Sequence, residues 1–259
     1  MAVQIHPSAV VSPNAQLGEN VIVHQNCFVG DKVTIGDGSV LMAGAYVDGR
    51  TTIGSNCRLF PYSIVGTEPQ DLKYAGEDTL TIIGDNTVIH EFATIHRGTS
   101  STGKTSVGSN CLIMAYCHVA HDCVVGDNVI MSNVAQIAGH VHLEDFVILG
   151  AFAKIHQFVT VGKHAMVGAD IKVVMDVPPF VLIGRNPPRV EKVNKIGLRR
   201  RGFSEDVINE LQTFYDTVLF SGLNNKQGIE EFIKNHPQFS DDVQYCIDFI
   251  RNSSRGIHR

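Results

Sequence analysis

The sequence has no tryptophan, and aromatic residues fill only 7% of its 259 positions. Charged residues make up 18%, and the net charge is −5. With neither an aromatic stacking platform nor a net basic surface, nucleic acid is not an expected partner. No apolar run is long enough to span a bilayer, which argues against integral membrane association. The N-terminal segment lacks the basic and apolar regions of a signal peptide, so a cytoplasmic location is expected. Without secretion, Asn252-Ser253-Ser254 is an accidental match to a glycosylation acceptor.

What the chain does have is a period of six. Large apolar residues stand at Ile5, Val11, Leu17, Val23, Val29 and Ile35, and the same register continues to Val173. It fails only at Asp71, Glu77 and Ser101. No amphipathic helix has that period, and a strand alone has period two. A fixed short period signals stacked identical units. Four residues after most of the large positions comes a small one, such as Ala45, Cys57 or Ala93. Glycine often follows the large residue, as in Val29-Gly30-Asp31 and Val125-Gly126-Asp127, where a tight corner suits it.

Each hexad therefore supplies one short strand and one corner, and three hexads close a triangular coil. Coils stacked as parallel strands lie about 4.8 Å apart. The expected fold is an all-β parallel β-helix over residues 1–189, with excursions at about 66–82 and 99–106. A small α-helical domain is expected over 190–259. There Ser204 reads as an N-cap, with Glu205 and Asp206 in the first turn. Val207, Leu211, Phe214 and Val218 follow at helical spacing, and further patterns run through Ile229–Ile233 and Val243–Ile250.

Six cysteines invite a metal or disulfide reading. Yet Cys27, Cys57, Cys111, Cys117 and Cys123 all occupy the small inward slot, where cysteine acts as a small hydrophobe. Cys246 stands at a helix-core spacing.

Chemistry is expected in the histidines. No excursion is visible after Val107, so residues eighteen apart stack on neighbouring coils. His121, Gly139 and Gln157 form one such ladder, Asp122 lies beneath His140, and His156 adjoins Gln157. These residues and His118 converge on one edge of the prism. A rigid coil holds polar groups at fixed spacing, as a preorganised site requires. Asp beside His can orient the ring and stabilise its protonated form. The plainer reading is a solvated polar edge, and His6 and His24 look like corner residues of that kind.

The aliphatic-Gly-x-x-small-x pattern is similar to the hexapeptide repeat of left-handed β-helix acyltransferases, typically trimers with active sites between subunits. The resemblance is closer at Gln70-Asp71-Leu72-Lys73-Tyr74-Ala75-Gly76, His118-Val119-Ala120-His121-Asp122-Cys123 and Arg200-Arg201-Gly202-Phe203. Together these resemble the bacterial UDP-N-acetylglucosamine O-acyltransferase family, over essentially the whole chain. That family transfers an (R)-3-hydroxyacyl group from acyl carrier protein to the sugar 3-hydroxyl, in the first step of lipid A synthesis. The resemblance implies a left-handed helix, a homotrimer, and acyl carrier protein and UDP-N-acetylglucosamine as partners. The acyl group would ride on the carrier's phosphopantetheine arm, with no other cofactor and no metal.

The same match implies residue roles. His121 is the general base, Asp122 positions it, and the Gly139 N–H is the oxyanion donor. Asp71, Lys73, His96, His118, His140, His156, Gln157, Asn194, Arg200 and Arg201 are substrate-binding. Met166, Ala169 and Pro187 gauge the acyl chain. Ile196 departs from the glutamate that relatives carry near the nucleotide ribose. Pro187 and Ala169 depart from the histidine and glycine common near the acyl-chain end, so the preferred chain length stays open.

Residues 185–201 carry seven positive charges against Glu191. Such a patch suits docking of an acidic carrier protein, and equally suits a loop made soluble by charge. Three rivals are an N-acyltransferase of the same pathway, a zinc enzyme like the γ-class carbonic anhydrases using His118, His121 and His140, and a non-enzymatic scaffold. The first usually has an extra N-terminal domain, whereas here the repeat begins at Ile5.

Overall fold

The computed structural model describes residues 2–259; Met1, the first residue of the expected β-helix, lies outside them. The chain coils into a left-handed parallel β-helix with three sheets of 11, 9 and 8 strands. Most strands are two residues long, for example Ile22–Val23, Phe28–Val29 and Thr34–Ile35, one on each face in turn. Pairing follows an eighteen-residue step, as in Ile22↔Val40 and His118↔Gln136. We call the faces that carry these three strands one, two and three.

The second residue of each strand pair points inward. Val23, Val29, Ile35, Leu41, Val47 and Ile53 are each at most 1% exposed. The small slot is buried with them, including Ala45, Cys57 and Ala93. Burying one large and one small side chain per hexad fills the prism without a second layer. Corners need a left-handed residue, and Asn20, Asn56, Asn86, Asn110 and Asn128 take it with φ of 56 to 59°. Asparagine tolerates that region better than most residues. In later coils aromatic and histidine residues occupy these corners instead, and their rings stack. Phe146, His164 and Phe180 are one such ladder, with centroids 4.7 and 5.4 Å apart.

Both breaks in the register are loops leaving the edge between faces two and three. The first joins the strands Ile64–Thr67 and Leu80–Ile83, and the second joins Thr94–His96 to Lys104–Val107. They add twelve and six residues to the coil, whole hexads in each case, so the pairings beyond them stay in phase: Arg58↔Val88, then Val88↔Leu112.

Past the last coil, Val181–Gly184 joins face one in parallel, and Arg189–Val193 returns antiparallel to it. This hairpin carries the sheet past the boundary expected at 189–190. Four α-helices follow: α1 Lys195–Arg200, α2 Glu205–Tyr215, α3 Asn225–Asn235 and α4 Asp241–Asn252. Ser204 caps α2 by accepting from the Val207 N–H. Tyr215 Oη donates to the Pro179 carbonyl at 2.7 Å, tying α2 to the final coil. A π-helical turn at Asp216–Phe220, which the residue spacing does not predict, extends α2.

All six cysteines are buried and unpaired. Burial pushes Cys111 and Cys117 up to about 11, and Cys123 and Cys246 up to about 12. Only the thiolate reacts readily. The native protein should therefore resist a thiol reagent at pH 8 and take up the full complement after denaturation. Rapid native labelling would contradict this packing.

His164 supplies a pH test. Burial first, then the charges of Arg201 and Lys163, push it down to about 4. Its unfolded value is about 6.5. Between those values the unfolded chain binds a proton that the folded chain does not, so stability falls as pH drops through the window. The slope is about 1.4 kcal/mol per pH unit for each such group. His164→Phe continues the aromatic ladder and should lose less stability between pH 6.5 and 4; an unchanged slope in urea titrations would contradict this.

Candidate active site

His121 and Asp122 form the corner between strands His118–Val119 and Val124–Val125, on the edge from which both loops leave. Asp122 takes a left-handed conformation with φ 61°. Its carboxylate is fully buried and His121 Nδ1 lies 2.8 Å from Oδ2. Burial alone would raise that carboxyl, but hydrogen bonds from Thr102, His121 and Thr99 outweigh it and hold it at about 2. An ionised carboxylate only accepts. Nδ1 must therefore donate, and the neutral ring then carries its lone pair on Nε2.

The neighbouring coils complete the constellation. The His140 N–H donates to the His121 carbonyl at 3.1 Å, and its Nε2 lies 3.7 Å from Asp122 Oδ2. The His140 ring meets His121 edge-on at 5.3 Å and stacks on Phe158 at 4.4 Å. Gly139 runs against the His121 ring: a Cβ there would stand 2.6 Å from Cε1 and 2.8 Å from Nε2. The Gly139 N–H makes no hydrogen bond with any described residue. At the edge between faces three and one, by contrast, such corner N–H groups are capped. Ser109 and Asp127 there donate to Asp127 and Asp145 of the following coils at 2.7 and 2.8 Å. The donor beside His121 is left uncommitted.

One groove unites Gln70, His96, His118, His121, Gly139 and Lys154. His118 Nδ1 lies 2.7 Å from Thr94 Oγ1. Burial, then the neighbouring His121, lowers its proton affinity. His96 is 6% exposed, its Nδ1 has no partner, and burial followed by His118 and His121 pushes it to about 4. Burial thus favours the neutral form of His96 and His118. Gln70 was not among the expected site residues; its neighbours Asp71 and Lys73 lie on the same exposed loop, with the Lys73 N–H donating to Asp71 Oδ1 at 3.0 Å. His156 and Gln157 sit one coil further along the edge. There Arg255, from the end of the chain, brings Nη2 to 3.4 Å from His156 Nδ1.

Met166, Asn194 and Arg200 gather instead at face one. A second groove of about 410 Å³ is lined by Ile148, Met166, Leu182, Asn194, Ile196 and Arg200, among others. Asn194 is buried and committed: its Oδ1 accepts from Gly197 N–H to cap α1, and its Nδ2 donates to the His164 carbonyl. Arg201 donates to the Phe146 carbonyl at 2.8 Å and covers the Phe146 ring. Of the seven cations in 185–201, Arg185 and Arg199 pair with Glu191 and Glu205. Ala169 and Pro187 are exposed, at a coil corner and in the hairpin turn, outside the walls of this groove.

The ligand atoms of His121, Asp122 and His140 lie within 4.8 Å of one another, which a cation could bridge. The donor set favours a proton network. Asp122 Oδ1 accepts from Thr99 N–H at 3.0 Å and Thr102 Oγ1 at 2.5 Å, and Oδ2 accepts from Thr99 Oγ1 at 2.7 Å besides His121. His118, which the zinc reading needs, is outside that group.

A family model described as UDP N-acetylglucosamine O-acyltransferase, domain 2, matches residues 176–258, and one for bacterial transferase hexapeptides (six repeats) matches 104–139. An acyl-[acyl-carrier-protein]–UDP-N-acetylglucosamine O-acyltransferase of Verminephrobacter eiseniae is 45% identical over 98% of this chain and 99% of its own length. The chain belongs to the UDP-N-acetylglucosamine O-acyltransferase family. Solved structures agree in fold. The UDP-N-acetylglucosamine acyltransferase of Bacteroides fragilis superposes with a TM-score of 0.95 at 39% identity, over 99% of this chain and 100% of that one. The Campylobacter jejuni enzyme gives 0.93 at 40% identity, over 98% and 99%.

Close packing at Gly139 is directly testable. Gly139→Ala forces the His121 ring aside, so acyl transfer should fall by about 10²-fold or more, as for lost positioning near a reacting centre. Thermal stability should change little by comparison. A Gly139→Ala enzyme with near-normal turnover would show that the ring has room to spare.

Proposed function

We propose that this family member transfers an (R)-3-hydroxyacyl group from acyl carrier protein to the 3-hydroxyl of UDP-N-acetylglucosamine, the first step of lipid A synthesis. The observation that carries the mechanism is the His121 ring, anchored at Nδ1 by an ionised carboxylate and set against an uncommitted backbone N–H. Nε2 takes the proton of the 3-hydroxyl as its oxygen attacks the thioester carbonyl. The tetrahedral oxyanion accepts from the Gly139 N–H. Collapse breaks the carbon–sulfur bond, and the phosphopantetheine thiolate leaves with the proton from His121. Asp122 stabilises the imidazolium between these steps. The acyl group arrives already activated on the carrier arm, so the chemistry calls for no other cofactor and no metal.

The residues assigned to substrate divide between two faces. His96, His118, His140, His156 and Gln157, with Asp71 and Lys73 on the first loop, belong to face two and its edge. Asn194, Arg200 and the acyl-gauging Met166 belong to face one. A ligand spans both sets where face one of one copy meets face two of another. The outward row of face one supports such a contact: beyond Arg58, the residues Val88, Leu112, Ile130, Ile148 and Met166 make it apolar over successive coils. A contact between unlike faces repeats around a closed ring; the family resemblance sets the number at three. In that assembly Arg200 suits the diphosphate, Asn194 and Arg201 hold the wall beside it, and Met166, with Ala169 and Pro187 beyond, shapes the tail's path. The unpaired cysteines fit a reducing cytoplasm.

His121→Ala should lower acyl transfer by about 10²–10⁴-fold, the usual contribution of a general base, without unfolding the coil. Arg200→Ala should raise KM for the nucleotide sugar. Mixed assemblies of these two variants should regain activity at roughly a quarter of their sites if each site draws on two copies. No recovery on mixing, with both variants assembled, would contradict the shared site.

A further inference from the structure

The second loop has no assigned role, yet it encloses the one buried carboxylate of the site. Thr99 donates its N–H and its hydroxyl to the two oxygens of Asp122, at 3.0 and 2.7 Å. Thr102 donates its hydroxyl and its N–H to Oδ1, at 2.5 and 3.3 Å. Thr105 Oγ1 accepts from the Asp122 N–H at 2.8 Å. The hydrogen bonds to the Asp122 carboxylate thus come from Thr99 and Thr102, apart from the one to His121. The insertion is one hexad long, so Thr94↔His118 and Ser106↔Val124 still pair in phase on either side. The loop adds a cradle without shifting the corner that it serves.

We propose that the 97–103 loop is a positioning device, in which Thr99 and Thr102 fix the Asp122 carboxylate so that its Oδ2 orients His121 toward the acceptor hydroxyl. The inference rests on the reading of His121 as general base. Thr99 matters most, because its hydroxyl shares Oδ2 with His121 Nδ1. The donors also draw charge from the carboxylate and weaken its pull on the imidazolium proton. With a donor removed, that pull strengthens, and the base gives up its proton only at higher pH.

The test is the pH dependence of kcat and KM for acyl transfer in Thr99→Val, Thr99→Ser and Thr102→Val, beside the wild type and His121→Ala. Valine keeps the shape, and Thr102 is exposed enough for its replacement to spare the fold; thermal unfolding checks both. Thr99→Val should lower kcat roughly ten-fold at little change in KM, the pattern of an interaction realised in the transition state. The acid limb of its kcat profile should move to higher pH, with a smaller shift of the same sign in Thr102→Val. Thr99→Ser should restore the wild-type profile. Folded Thr99→Val and Thr102→Val with wild-type kcat and an unmoved acid limb would overturn the proposal while His121→Ala stays inactive. A fully active His121→Ala would overturn the underlying reading, and the proposal with it.

Discussion

The eighteen-residue step between stacked coils is the constraint from which the rest of this molecule follows. Each strand is too short to be stable alone, and its backbone groups are satisfied only by the coils before and after it. Register is therefore collective: a slip of one residue would turn every inward valine and isoleucine outward. Insertions survive only in whole hexads, as both loops show. The same constraint places His121, Gly139 and His140 in fixed juxtaposition, because a corner has no freedom to move against its neighbours. Catalytic geometry is inherited from the backbone.

That rigidity accommodates a costly group. A buried carboxylate without partners would take up a proton instead of staying charged. Asp122 stays ionised because threonines of the second loop and the His121 ring outweigh its desolvation. The ionised state in turn dictates which imidazole nitrogen is protonated. His96 and His118 nearby are pushed toward the neutral form by burial and by neighbouring histidines, so Asp122 places a negative charge directly against the His121 ring. Face one contributes a different chemistry, an apolar groove lined in part by Arg200.

Much of this is legible in the residues. The period of six reports the coil directly, since one large and one small inward side chain recur with every strand. The His121–Gly139 and Asp122–His140 ladders follow from counting eighteens. Ser204 with Glu205 and Asp206 reads as a helix start because capping is local chemistry. What escapes the reading is aperiodic or long-range. The Val181–Gly184 and Arg189–Val193 hairpin has no repeat to announce it, and a helix as short as α1 offers little spacing to detect. Thr99 and Thr102 look like ordinary loop residues, though two threonines within a one-hexad insertion are a faint signal. Asn194 and Arg201 are recognisable only by resemblance, and their bonds to His164 and Phe146 depend on how the C-terminal segment returns to the coil.

The central claim is that Asp122 fixes the His121 ring with its proton on Nδ1 and an open lone pair on Nε2. Nitrogen-15 NMR of histidine-labelled enzyme at neutral pH, with His121 assigned by substitution, measures this directly. The account predicts a pyrrole-type, protonated Nδ1 and a pyridine-type, unprotonated Nε2, with the preference lost in Asp122→Asn. A ring protonated on Nε2 in the native enzyme would contradict it, because that nitrogen could then take no proton from the sugar.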